Sequence, residues 1–338
     1  MTDLHANFMT TIRAEELAAW TPVAIDLEAP VPSIDWGDFG SLRFAEPFFD
    51  ETVAKWAAAN PAGRMVRTGL DALVVLDQAP SLDPSGFIFH LSRCGSTLLT
   101  RLLQQIPGCV IVSEPTIINE LLLTDDADLD EESRVQFLRM LVRALGRKRF
   151  ADERHYVLKL SSWNIRKLEL FRRAFPQTPL VWLQRKPAEI IASLLAHEPE
   201  WRASPKLART IFNLADDLAA SEPKAFYVEA LTAMLKAASS FPAELMGTID
   251  YSELPQAAWM TVAPHFGLTL NAGEIALMET QSHFYSKDST LTPFSHPKDA
   301  EDAISESIQQ FAAPELDCIY RELSVRKVST PSPRQSTV

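Results

Sequence analysis

The residues best suited to chemistry lie in one short run, Ser92-Arg93-Cys94-Gly95-Ser96-Thr97. An apolar stretch, Phe87-Ile88-Phe89-His90-Leu91, leads into it, and Leu98-Leu99-Thr100-Arg101-Leu102-Leu103 leaves it as the start of an amphipathic helix. A strand, a tight polar turn with a glycine and a helix N-terminus together make an anion site. The unpaired amides of the first helical turn and the helix dipole both point at the turn. Phosphate is the natural occupant. Taken alone, the run also allows a plainer reading in which Ser92 and Ser96 merely cap a helix.

Two phosphate chemistries fit poorly. A Walker A loop needs Gly-x-x-x-x-Gly-Lys-[Ser/Thr], whereas Gly95 is followed by Ser96 and Thr97, and the cation, Arg93, precedes the glycine. A kinase acting with ATP and Mg²⁺ is therefore disfavoured. A cysteine phosphatase would use Cys94 and Arg101, but the six residues from Gly95 to Thr100 are one too many to wrap a phosphate. Cys94 is then a small loop residue.

The elements that must hold this loop follow from the pattern around it. From Gly86 onward, short apolar runs alternate with amphipathic stretches, as in successive βα units. Strands are expected at Phe87–Leu91, Cys109–Val112, Tyr156–Lys159, Leu180–Leu183 and Met246–Asp250. Helices are expected at Ser96–Gln105, Glu131–Leu145, Trp163–Ala174 and Pro187–Ala196, where Pro187 suits a first turn. Further helical periodicity runs from about 204 to 240, from Asn271 to Thr280 and from Asp302 to Leu323. The predicted fold class is α/β: a three-layer P-loop-type fold with a central parallel sheet flanked by helices, plus an N-terminal extension.

In domain terms, residues 1–85 form the extension packed on the main domain, 86–325 the P-loop domain and 326–338 a disordered tail. The extension is rich in aromatics, with a helix at Glu51–Ala59 and a strand near Ala72–Leu76. It either only packs on the domain, or forms a wall of an acceptor pocket or a homodimer contact.

Bulk properties exclude several classes. The 338 residues, 46% hydrophobic, can bury one large core. A net charge of −12 opposes a nucleic-acid partner, which needs a broad basic surface. No apolar run approaches the ~18 to 20 residues of a membrane span. The first eight residues, Met1 to Phe8, do not read as a secretory signal. The three cysteines, 94, 109 and 318, fit neither a disulfide framework nor a metal site. A soluble cytoplasmic protein without a metal is expected.

Arg93-Cys94-Gly95-Ser96-Thr97 resembles the [Lys/Arg]-x-Gly-[Ser/Thr]-[Thr/Ser] loop of the PAPS-dependent sulfotransferases. That family's second hallmark is a strand-end arginine followed eight residues later by a serine on the next helix, and Arg185 and Ser193 match it. The resemblance implies that Ser92 to Thr97 cradle the 5′-phosphosulfate of PAPS and that Arg185 and Ser193 hold its 3′-phosphate. An arginine fork and a hydroxyl suit a phosphate chemically. Arginine at the loop's basic position is a feature of the tyrosylprotein sulfotransferase branch.

Two further positions are similar to that branch's catalytic pair. Glu114 follows Arg93 by 21 residues and would be the general base; Lys159 precedes Arg185 by 26 and would, with Arg93, stabilise the departing phosphate. Plainer readings are a helix-capping carboxylate and a strand-end cation. Where the branch continues its lysine with Asp-Pro, this chain has Leu160-Ser161-Ser162, and other relatives use a histidine base. His90 is the nearest histidine, though it reads as a core or supporting residue. The segments Ile249 to Leu254 and His265 to Leu268 look like a further family stretch, and Ser286 and Lys287 like a closing segment over the nucleotide. The Gly-x-x-Gly-x-x-Lys element of cytosolic relatives is absent.

The expected activity is sulfuryl transfer from PAPS to a hydroxyl acceptor, leaving adenosine 3′,5′-bisphosphate. The alternatives are a P-loop phosphotransferase using ATP and Mg²⁺, or a non-catalytic nucleotide-binding protein.

Overall fold

Five of the strands are short, almost wholly apolar runs, and a strand of that kind is stable only with both faces covered. In the computed structural model they form a single all-parallel sheet: β4 (Gly86–His90), β5 (Cys109–Ser113), β6 (His155–Lys159), β7 (Leu180–Gln184) and β8 (Met246–Asp250). The spatial order is β5-β6-β4-β7-β8. All five residues of β4 and of β7 are buried, which puts the two in the middle of the core. The structure describes residues 14–61, 63–124, 130–203, 205–213, 222–284 and 314–328.

Helices cover both faces of this sheet. In chain order they are α3 (Ser96–Leu103), α4 (Thr116–Leu123), α5 (Glu131–Leu145), α6 (Leu168–Ala174), α7 (Pro187–Ala196), α8 (Glu200–Ala203), α9 (Pro205–Phe212) and α10 (Pro223–Ser239), followed by Ala272–Ser282 and Pro314–Ser324. The predicted α/β architecture with a central parallel sheet is the one observed. Two helices come earlier, α1 (Phe49–Ala59) and α2 (Asp71–Leu76). The strand order places β4 between strands reached by connections running in opposite directions. The crevice beyond its C-terminal end is therefore the switch point at which open α/β sheets bind ligands.

The first 85 residues contain more than the sequence suggested. They carry an antiparallel sheet of their own, β1 (Thr21–Asp26), β2 (Ser33–Gly37) and β3 (Met65–Gly69), in the order β1-β2-β3. The run Ala72–Leu76, expected as a strand, is instead part of α2. Ala72, Leu73 and Leu76 face inward while Val74 and Val75 are exposed, a spacing that only a helix produces. The extension is tied to the helices beside the main sheet by Gln104 Nε2, at the end of α3, donating to the Phe44 carbonyl at 2.9 Å and by Ile25 N donating to Glu120 of α4 at 3.3 Å.

The expected helix Trp163–Ala174 is divided. A 3₁₀ segment, Ser162–Lys167, precedes α6, and its start is fixed by reciprocal bonds between Ser161 and Asn164. Only the second half of the expected Asp302–Leu323 helix falls within the described residues, as Pro314–Ser324. Residues 326–328, assigned to the tail in the sequence reading, lie along the outer edge of β8. Thr248 N donates to the Arg326 carbonyl at 3.0 Å, and the Arg326 guanidinium donates to the carbonyls of Ala238, Ser239 and Phe241. An otherwise open sheet edge is thereby covered.

Candidate active site

The loop from Ser92 to Thr97 turns at the C-terminal end of β4, and α3 begins at Ser96. The turn needs a left-handed residue, and Gly95 supplies it with φ +84°. Space forbids any other residue there as well. A Cβ on Gly95 would lie 2.7 Å from the Tyr251 ring and 3.0 Å from Leu254.

Among the described residues, three non-glycine residues have a left-handed backbone: Arg93 at +51°, Glu114 at +50° and Asn213 at +53°. The first two are the loop cation and the expected base. Such a backbone costs about 1–3 kcal/mol per residue and persists where the surroundings impose it, commonly at functional sites.

Glu114 follows the last residue of β5, and Lys159 is the last residue of the neighbouring β6. Glu114 N donates to the Lys159 carbonyl at 2.7 Å, which continues the strand pairing by one step. The side chains then meet, Lys159 Nζ to Glu114 Oε1, at 2.8 Å. The Lys159 side chain is 0% exposed and that of Glu114 24%. Lys159 Nζ also donates to Thr97 Oγ1 of the loop at 3.4 Å and lies 4.6 Å from the centre of the Phe48 ring. Loop, lysine and carboxylate therefore form one connected cluster.

Burial by itself would raise the pKa of the Glu114 carboxyl. The Lys159 charge, with His90 beside it, outweighs that and holds the group well below the usual carboxylate range. His90 Nε2 is 3.5 Å from Glu114 Oε1, and neither ring nitrogen of this buried histidine makes a hydrogen bond.

Cys94 points away from the site. It is fully buried, its thiol donates to the Leu183 carbonyl at 3.2 Å, and burial pushes its pKa up to about 12. A thiolate nucleophile is not available there, so Cys94 can contribute to an anion site only through its backbone. Ser92, Ser96 and Thr97 are buried within the loop and the first turn of α3.

The second expected pair is arranged differently from its spacing. Ser193, on α7, accepts from Arg93 Nε at 2.7 Å, so the loop cation bridges to the helix after β7. Arg185 instead donates through Nε to Glu189 at 2.6 Å, with its guanidinium 4.4 Å from the centre of the Tyr251 ring. The same ring closes over Gly95, so Arg185 stands next to the loop through Tyr251. Ser286 and Lys287 lie outside the described residues.

Two residues near this cluster carried no sequence signal. Phe48 brings an aromatic face to Lys159 from the N-terminal extension. Asp50, in the first turn of α1, accepts from Thr116 N at 3.1 Å and from Thr116 Oγ1 at 2.6 Å, which fixes the start of α4 directly after Glu114. Burial raises the Asp50 pKa, Thr116 opposes this, and the nearby Glu114 charge adds to the rise. Asp50 meets Thr116 across 66 residues of chain, and Phe48 meets Lys159 from farther still, so no local spacing announces either.

No family model and no curated protein matches this sequence. Solved structures similar to the chain include the sulfotransferase STF9 from Mycobacterium avium, at 14% identity and TM-score 0.41, covering 79% of this chain and 81% of that one. A sulfotransferase from Alicyclobacillus acidocaldarius gives 16% identity and TM-score 0.35, covering 72% and 98%. The sulfotransferase domain from the curacin biosynthetic pathway gives 16% and 0.41, covering 73% and 100%. Residue roles in this chain rest on its own geometry.

Proposed function

We propose that the chain is a sulfotransferase that moves a sulfuryl group from PAPS to a hydroxyl acceptor. The observation that carries this reading is the cluster of Glu114, Lys159 and Thr97 at the C-terminal edge of the sheet. It sets one carboxylate and one cation beside an anion loop that lacks the glycine-lysine pair of nucleotide kinases.

In this reading the acceptor oxygen attacks sulfur in line, the new O–S bond forms, and the bond from sulfur to the bridging phosphate oxygen breaks. Glu114 takes the acceptor proton. Lys159, Arg93 and the amides of Gly95 to Thr97 face the charge that grows on the departing phosphate. Paired with Lys159, Glu114 has a low pKa, which makes it a weak base. Lys159 moving toward the sulfuryl and bridging oxygens loosens that pair and raises the basicity of Glu114 when the acceptor is in place. Arg185 would exchange Glu189 for the 3′-phosphate, and Ser193 would share Arg93 with the nucleotide.

Thermal-shift titration tests the nucleotide half of this proposal. Adenosine 3′,5′-bisphosphate should raise the melting temperature while ATP with Mg²⁺ leaves it unchanged. The reverse pattern would favour a phosphotransferase and overturn the assignment.

A further inference from the structure

Beyond the far end of α4 lies a cavity of about 300 Å³, near the lower end of the size range of small-molecule sites. Its apolar surface includes Leu121, Trp163 and Ile211, and its polar surface includes Arg134, Arg166 and Lys167. Among the described residues that line it there is no carboxylate. In a chain with net charge −12, three cations among the described residues of one small cavity stand out. Leu121 lies five residues into α4, about 7.5 Å along the helix from Thr116, and the described residues that line the cavity include none of Ser92 to Thr97, Glu114 or Lys159, so it is separate from the loop and its cluster.

The three cations are not equivalent. Arg134 Nη1 donates to the Leu121 carbonyl at 3.5 Å and Lys167 is largely exposed. Arg166 is held by the Phe212 ring, 5.9 Å from its guanidinium carbon, yet its Nη1 is buried with no hydrogen-bond partner. Burial lowers the Arg166 pKa, and among the described residues no carboxylate offsets that. A buried guanidinium donor without an acceptor is costly unless a ligand completes it. The apolar wall beside it suits a hydrocarbon body.

We infer that this cavity binds a small organic acid with an apolar body, its acid group on Arg166 and Lys167. The guanidinium fork suits a carboxylate or a sulfate ester equally in shape, and a neutral alcohol of the same body offers the Arg166 donor only a weaker, uncharged acceptor. This site works independently of sulfuryl transfer.

Isothermal titration of the full chain with octanoate, octyl sulfate and 1-octanol tests it. At least one of the two acids should bind at a single site about tenfold or more tighter than the alcohol, consistent with one charge-assisted hydrogen bond. The tighter acid identifies the head group. Arg166→Gln should remove that advantage while leaving 1-octanol binding in place, and saturating adenosine 3′,5′-bisphosphate should leave the acid bound. Equal binding of the alcohol, no acid binding, competition by the bisphosphate, or an unchanged Arg166→Gln variant would each overturn the proposal. The comparison of acid and alcohol on the unaltered chain stands even if the variant folds poorly.

Discussion

Asp35 and Arg67 face each other across β2 and β3, joined at 2.7 and 2.8 Å, and Glu114 and Lys159 meet at 2.8 Å where β5 and β6 end. Both pairs link neighbouring strands with good geometry. The first lies on the surface of the N-terminal sheet, where water screens it and such a pair contributes about 0–1 kcal/mol. The second has taken a lysine wholly out of water, in a place where apolar side chains of the same volume would hold the fold at least as well. A pair that stability alone would not select, one member of which is itself left-handed and which lies beside the anion loop of the left-handed Arg93, is best accounted for by chemistry.

Changes to the two pairs should therefore differ most in what they do to activity. Lys159→Ala is the harshest test. It leaves Glu114 largely buried without its partner, so chemical denaturation should show a loss of about 3–5 kcal/mol, and PAPS turnover should fall by at least ~10²-fold. Lys159→Met keeps the volume and should regain most of the stability but none of the turnover. A recovery of turnover with Met would place Lys159 among structural residues.

Next in size is the pair around the nucleotide. Arg93→Ala and Arg185→Ala should each weaken adenosine 3′,5′-bisphosphate binding by about tenfold or more, as calorimetry would show, since each removes a charge-assisted contact. Glu189→Gln should act in the opposite direction, tightening binding a few-fold, because it frees Arg185 from a competing carboxylate.

Acidification separates the pairs more gently. Glu114 titrates in the folded chain below the ~4.3 of an unfolded glutamate. Its contribution to stability is therefore present above about pH 4 and is lost as pH falls through the lower folded value. The stability difference between the natural chain and Glu114→Gln should be constant from about pH 6 to 8 and shrink below about pH 4. At the small end, Arg67→Ala should cost within about 1 kcal/mol and leave turnover unchanged.

The same contrast explains what the sequence disclosed. The five core strands were legible because each is a nearly continuous apolar run, and the loop because strand, glycine and helix start sit side by side. Glu114 and Lys159 drew attention only because their spacings from Arg93 and Arg185 resemble those of a known family, and nothing in the spacing itself says that the two side chains meet. The extension was hard to read for a physical reason. Pro22 interrupts a short strand of weak alternation, and the valine-rich Asp71–Leu76 segment has strand composition but helical burial. Phe48 and Asp50 reach the site only through packing. The partner of Ser193 was also hidden, because its spacing from Arg185 carries no information on where Arg93 turns.

The most direct test follows label from PAPS onto a panel of phenolic, carbohydrate, lipid and peptide hydroxyls, with the natural chain and with Glu114→Gln side by side. Transfer by the natural chain, reduced by about 10²-fold or more in Glu114→Gln while adenosine 3′,5′-bisphosphate still binds, is the expected result. Equal transfer by both proteins, or a natural chain that binds the bisphosphate yet moves label to no hydroxyl, would contradict the assignment of Glu114 as the base of a sulfotransferase.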